Sequence, residues 1–93
     1  MIHKEAEDWE IIRALLAKYP YTFYAFGSRV RGTQRKFSDL DLCYKDEIPD
    51  STIAYLEGEF SDSDLPFKVD IVNWNRCSSK FQETIQTELE PLL

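Results

Sequence analysis

Two aspartates that stand two residues apart, Asp39 and Asp41, strongly limit how this 93-residue chain can fold. The segment 38–44 alternates polar and apolar residues, which predicts a β-strand with both carboxylates on the same face. Neighbouring carboxylates repel each other unless a positive charge lies between them, and Mg²⁺ is typically held by one or two carboxylates plus substrate phosphates. The pair therefore predicts a strand face that is open to a divalent cation.

A Gly27-Ser28 pair follows another strand-like segment, 21–26, which is rich in aromatic residues. Glycine allows a close approach of the backbone to a ligand, and a helix that starts here offers free N–H groups and a positive dipole end. A turn of this kind suits phosphate groups. Together with the two carboxylates, it predicts metal-assisted phosphoryl chemistry on a nucleotide.

A third acidic residue, Asp70, lies among β-branched neighbours and is expected in the middle of a largely buried strand. An ionised carboxylate is costly to bury without a partner, so such residues are paired or bind a metal. A salt bridge to Lys68 or to an arginine is the simpler interpretation, although we expect Lys68 to face the opposite side. If the two strands are neighbours, Asp70 joins Asp39 and Asp41 in one cluster.

Four basic residues lie between the Gly-Ser pair and the two carboxylates: Arg29, Arg31, Arg35 and Lys36. They form either a solvated basic loop or a surface that faces a triphosphate. Arg29 is the best candidate for nucleotide binding, because it is closest to the turn and an arginine fork matches phosphate oxygens. Elsewhere acidic residues dominate, and the net charge of −6 argues against direct binding of nucleic acid.

Length and composition predict a single domain over residues 1–93. No apolar run is long enough to cross a membrane, and the N-terminus lacks the apolar core of a signal peptide. Cys43 and Cys77 show neither metal-site nor disulfide spacing. We therefore expect a cytoplasmic protein without membrane contact.

Hydrophobic periodicity predicts an α/β (α+β) fold with the order α-β-β-α-β-α. The expected elements are helix 5–18, strand 21–26, a helical turn 28–32, strand 38–44, a helix from 49 to about 61, strand 67–74, and a last helix bearing Phe81, Ile85 and Leu89. Ser79 and Gln82 resemble the capping box of that last helix. The pattern indicates a small mixed β-sheet with helices on one face and the other face free for a site.

Gly27-Ser28, ten further residues, Asp39-x-Asp41 and then Asp70 resemble the signature of the polymerase-beta-type nucleotidyltransferases. The sequence Gly-Ser-Arg-Val-Arg-Gly-Thr is especially similar to that of the minimal nucleotidyltransferases, and the resemblance covers the chain from Glu5 onward. It implies that Asp39 and Asp41 hold Mg²⁺, with two ions expected, and that Asp70 is a further metal ligand, a general base or both. It also implies that Gly27 and Ser28 bind the triphosphate of ATP.

The resemblance also implies a partner, since minimal nucleotidyltransferases are paired with small helical HEPN proteins in toxin–antitoxin systems. In that family the transferase adds AMP to a tyrosine hydroxyl of the HEPN ribonuclease toxin and silences it. We therefore expect a protein adenylyltransferase antitoxin that forms a hetero-oligomer with its toxin. Two alternatives stay open: a non-catalytic subunit that blocks the toxin by contact, and nucleotidyl transfer to a small molecule in a pocket that a partner completes.

Overall fold

The structure is a computed structural model that describes residues 7–33 and 38–92. Its helices are α1 (Glu7–Leu16), α2 (Ser28–Arg31), α3 (Asp50–Ser61) and α4 (Ser79–Ile85), and its strands are β1 (Phe23–Phe26), β2 (Leu40–Tyr44), β3 (Val69–Asn73) and β4 (Glu90–Leu92). Single 3₁₀ turns at Trp74–Arg76 and Gln86–Glu88 flank α4. Glu5, where the predicted first helix begins, and the basic residues Arg35 and Lys36 lie outside the described residues.

The four strands form one mixed sheet in the order β3-β2-β1-β4. Strand β2 runs parallel to β3 and antiparallel to β1, and β1 is also antiparallel to β4. The parallel pair is joined through α3, since parallel strands need a crossover connection. This order places the strand of Asp41 in the centre of the sheet, with the strand of Asp70 on one side and the Gly27 turn on the other.

Helices α1 and α3 pack on one face of the sheet and form the main core with it. Apolar side chains at helical spacing supply the contact surface of each helix, because residues three and four apart lie on the same side. In α1 these are Trp9, Ile12 and Leu16, and in α3 they are Ile53, Leu56 and Phe60. The alternating buried residues of β2, Leu40, Leu42 and Tyr44, face them, so Asp41 points to the opposite face.

The opposite face of the sheet is not entirely free, and the prediction that all helices share one face was wrong for α4. Ile85 of α4 packs with Phe26 and Cys43 in a second, smaller core on the same side as Asp41. Phe81 adds an edge-to-face ring contact with Phe26, with 5.8 Å between the ring centroids. Helix α4 therefore covers the part of this face formed by Phe26 and Cys43.

The last segment differs from the predicted single helix. Helix α4 ends at Ile85, and Leu89 belongs to the connection into β4, a strand that was not predicted. The Ser78 side chain, rather than Ser79, caps α4 by accepting a hydrogen bond from the Phe81 amide at 3.2 Å. Within the described part of the chain, no helix is long and apolar enough to cross a membrane.

Candidate active site

The turn between β1 and α2 brings the backbone of Gly27 against the side chain of Asp41. Gly27 has φ +85°, a backbone conformation that L-residues rarely adopt, and a Cβ built on it would lie 2.6 Å from Asp41 Oδ2. Its carbonyl accepts hydrogen bonds from the amides of Val30 and Arg31, each at 3.1 Å, and these bonds start the short helix. The turn thus requires glycine for its backbone conformation, and a Cβ there would also displace the Asp41 carboxylate oxygen.

Asp41 and Asp70 are register partners in the parallel pair of β2 and β3, and both side chains are half-buried. The sequence predicted that the two residues would cluster if their strands were neighbours, and the two strands are paired. Asp39 stands just before β2, is exposed, and influences Asp41 electrostatically together with Asp70. The structure therefore places Asp41 between the Gly27 turn and Asp70 and leaves Asp39 at the rim.

Burial raises the pKa of the Asp41 carboxyl above its usual value, and the charges of Asp70, Asp39 and Glu88 raise it further. Arg31 acts in the opposite direction on this pKa. The physical cause is that a partly desolvated carboxylate among like charges is disfavoured in its ionised form. A cation at this position would reverse that effect.

Lys68 pairs with Asp70, with 3.3 Å between Lys68 Nζ and Asp70 Oδ1. The expectation that Lys68 faces the other side of the strand was wrong, because residues two apart in an extended chain share one side. The Lys68 side chain is 74% exposed and that of Asp70 is 40% exposed. An ion pair this open contributes little to stability and can be exchanged for another cation.

The donor chemistry of these carboxylates suits Mg²⁺, which prefers hard oxygen ligands. The pKa of Asp41, which is raised by burial and then by neighbouring carboxylates, also fits a site built for a cation. Among residues 7–33 and 38–92, however, no three metal-binding side chains converge closely enough to hold an ion together. The residues present fit the metal in type and register, while Asp70 is turned towards Lys68.

Arg29 contacts the protein itself at the entrance of β2. Its guanidinium donates two hydrogen bonds to the Ser38 carbonyl, at 3.0 Å from Nε and 2.7 Å from Nη2. It also lies over the Phe67 ring, 3.8 Å from the centroid. Arg29 therefore connects α2 to the segment that carries Asp39 and to the segment that leads into β3, and its nucleotide-binding role stays a prediction.

Glu88 is a residue at this site that the sequence analysis missed. Its carboxylate accepts a hydrogen bond from the Gly27 amide and pairs with Arg31, whose Nη1 lies 3.1 Å and 3.0 Å from the two carboxylate oxygens. The hydrophobic pattern of the last helix extends to Leu89 and so places Glu88 on that helix, where an acidic residue usually belongs to a solvated face. Only the strand β4, which the sequence pattern did not indicate, brings it to the turn.

A glycine turn beside paired carboxylates suits nucleotidyl transfer, and comparison with known proteins identifies the family to which the chain belongs. A family model described as "Polymerase beta, Nucleotidyltransferase" matches residues 10–93, and the chain belongs to this family. It is 41% identical over 86 residues to the probable protein adenylyltransferase MntA of Haemophilus influenzae (strain ATCC 51907 / DSM 11121 / KW20 / Rd), covering 88% of this chain and 75% of that protein.

Two solved structures resemble this chain in fold. A crystal structure of a toxin–antitoxin with AMP-PNP matches with a TM-score of 0.70 and 26% identity, over 95% of this chain and 73% of the other. A variant of the toxin–antitoxin MntA-HpeT matches with a TM-score of 0.63 and 24% identity, over 96% of this chain and 73% of the other. The second likeness supports the fold alone, and the predicted nucleotidyltransferase core is confirmed.

Proposed function

We propose that this protein is an antitoxin that transfers AMP from ATP to a tyrosine hydroxyl of a toxin protein of the HEPN class, with which it forms a hetero-oligomer. Membership of the nucleotidyltransferase family supports the reaction type. The similarity to a protein adenylyltransferase supports a protein acceptor, and the similarity to a toxin–antitoxin with AMP-PNP supports an adenine nucleotide and a toxin partner.

One observation carries the proposal most directly: Asp41 has Asp70 as its strand neighbour and the Gly27 backbone against its own carboxylate. Phosphates that bind at the turn would therefore lie next to the carboxylates. The first amides of a helix have no intrahelical partner, so those of Ser28 and Arg29 are the donors that we assign to the triphosphate. Asp39 and Asp41 are assigned to holding Mg²⁺, and Asp70 completes the site as ligand or proton acceptor.

The reaction is an in-line displacement at the α-phosphorus of ATP. The tyrosine oxygen forms a bond to that phosphorus while its proton leaves for a base, and the bond from the α-phosphorus to the bridging oxygen breaks to release pyrophosphate. When bound, Mg²⁺ neutralises phosphate charge and favours the ionised acceptor oxygen. The turn would orient ATP and the carboxylates would hold the cation beside it, because correctly placed reactants need no further ordering in the transition state.

The test is ATP-dependent labelling of the co-purified toxin partner, followed by intact mass. We expect the partner to gain the mass of one or more adenylyl groups, with none gained when Mg²⁺ is chelated. The variant Asp39→Asn/Asp41→Asn should lose labelling but keep its fold. Asp62→Asn/Asp64→Asn, which removes two acidic residues exposed beyond α3, is the matched control and should label normally.

The two alternatives predict different results in the same experiment. A stable complex in which the wild-type protein inhibits the toxin but never labels it would identify a non-catalytic binding subunit. Labelling of a small molecule in the presence of the partner, with the partner itself unlabelled, would identify the third function. Full labelling by the Asp39→Asn/Asp41→Asn variant would show that the reaction uses other residues.

A further inference from the structure

Glu88 holds a position at the turn that a free anion would also suit. Its side chain is only 16% exposed, and its oxygens accept from the Gly27 amide and from Arg31. Charge-assisted hydrogen bonds of this kind are about twice as strong as neutral ones. The carboxylate is therefore well satisfied despite its proximity to the carboxylate of Asp41.

The strand register explains how Glu88 reaches the turn. Ala25 of β1 is paired with Glu90 of β4 in an antiparallel ladder. Continuing that register by two residues brings Glu88 beside Gly27, where the hydrogen bond between them is formed. Strand β4 is thus paired with β1 up to Ala25, and the Glu88 side chain makes the contact with the turn itself.

We propose that Glu88 is a positioning residue for nucleotide binding: its carboxylate fixes the Gly27 peptide and the Arg31 guanidinium in the orientation that receives the triphosphate. The inference rests on the proposed function and extends it, because it assigns a role in the reaction to the C-terminal strand. Gly27, with φ +85°, has no backbone preference that would hold the turn in this conformation. An acceptor for its amide therefore restricts the other conformations that the turn could adopt. Preorganisation of this kind improves affinity by lowering the ordering cost of binding.

Glu59 offers a closely matched control. Its side chain is 17% exposed and pairs with Lys18, which is 52% exposed, while Glu88 pairs with Arg31, which is also 52% exposed. Glu59 has a second donor in the Tyr19 hydroxyl, as Glu88 has in the Gly27 amide. The Glu59 contacts join the end of α1 to α3 on the face of the sheet away from Asp41. Loss of a half-buried ion pair is therefore comparable in the two variants, but only one of them touches the turn.

The experiment compares Glu88→Gln, Glu88→Ala and Glu59→Gln with the wild type in two assays. The first assay measures the Kd of a fluorescent ATP analogue without an acceptor, and the second measures kcat and KM for labelling of the partner. We expect Glu88→Ala to raise the Kd and the KM about tenfold and Glu88→Gln to raise them less, since glutamine keeps a neutral acceptor for the Gly27 amide. Glu59→Gln should leave both values within twofold of the wild type. In amide NMR spectra, the Gly27 proton should move upfield in both Glu88 variants, because a charged acceptor has been lost.

Three outcomes would overturn the inference. A lower Kd for the nucleotide in Glu88→Gln would mean that the carboxylate competes with phosphate for the turn. Unchanged Kd and KM in both Glu88 variants would mean that the contact is structural only. The same conclusion would follow if Glu59→Gln raised Kd and KM as much as the Glu88 variants do. If Glu88→Ala does not fold, the comparison of Glu88→Gln with Glu59→Gln still decides. If the wild type binds the analogue but labels nothing, the proposed function fails, while the Kd values still test Glu88.

Discussion

Asp41 lies directly opposite Asp70 across the parallel strands β2 and β3. Two carboxylates in this relationship repel each other, and burial adds to the cost of ionising Asp41. The fold supports this arrangement through a core of apolar side chains on the other face of the same strands. The ionised Asp41 therefore lowers the stability of the fold at the position where a cation is expected to act.

The first prediction is that Asp41→Asn raises the free energy of unfolding in metal-free buffer at neutral pH. A carboxyl whose pKa is higher in the folded than in the unfolded state destabilises the fold when it is ionised. The penalty is absent at a pH below the usual value of 3.8 and develops as the pH rises through the folded pKa. The gain from Asp41→Asn should therefore shrink to zero on acidification, which urea unfolding at a series of pH values measures.

Asp62→Asn, at the exposed end of α3, controls for the loss of one negative charge from an acidic protein. Its stability should differ little from that of the wild type at any pH. An Asp41→Asn variant that is less stable than the wild type at neutral pH would contradict the prediction. It would show that the ionised carboxylate is well solvated or paired in the folded protein.

The second prediction concerns the two glycines with positive φ, Gly27 at +85° and Gly32 at +77°. Gly32 has ψ 17° and is in the left-handed helical region, where alanine costs about 1–2 kcal/mol. Gly27 has ψ −158° and lies in a region that is essentially confined to glycine, where another residue costs about 1–3 kcal/mol. A Cβ at Gly32 meets nothing within 4 Å, whereas at Gly27 it meets the Asp41 carboxylate. We therefore expect Gly27→Ala to be the less stable variant and to lose at least tenfold in transfer rate, with Gly32→Ala losing stability but not activity. Thermal unfolding and labelling rates of the two variants provide the comparison.

The strand patterns predicted that Asp41 and Asp70 would meet if their strands were neighbours, because alternation fixes the face of every side chain once one face is known to be buried. The position of α4 could not be obtained in this way. Its few apolar residues, Phe81 and Ile85 among them, show that one side is buried but not which face of the sheet it covers. Strand β4 has only three residues, including Pro91, and a proline argues against a strand in sequence reasoning. Glu88 was missed because its position at the turn depends on this unpredicted strand.

The third prediction separates two roles of Arg29. If it holds the Ser38 carbonyl through two donors and stacks on Phe67, lysine cannot replace it, because an ammonium group lacks the planar fork. We expect Arg29→Lys and Arg29→Ala to lose similar stability, about 1–3 kcal/mol, and to raise the KM for ATP to a similar extent. Urea unfolding and steady-state kinetics on both variants test this.

Arg13→Lys, in an exposed pair with Glu10 on α1, is the control for an arginine-to-lysine change. An unchanged KM for ATP in Arg29→Lys, together with a raised KM in Arg29→Ala, would favour a direct contact of the positive charge with phosphate. A pull-down of the partner by each variant adds a further check. Loss of partner binding with unchanged ATP kinetics would assign Arg29 to the interface instead.

The last prediction is that Lys68→Met strengthens the binding of Mg²⁺ by a few-fold. Lys68 and a metal ion are alternative cations for Asp70, and an exposed ion pair is worth only about 0–1 kcal/mol. Removing the lysine frees the carboxylate to turn towards Asp41, its strand neighbour. The measurement is the Mg²⁺ concentration that gives half-maximal labelling, together with direct binding of Mn²⁺ as a spectroscopic probe.

Lys80→Met, at an exposed lysine on α4, should leave both values unchanged. Weaker metal binding in Lys68→Met would instead mean that the ammonium group keeps Asp70 in the orientation that the metal needs.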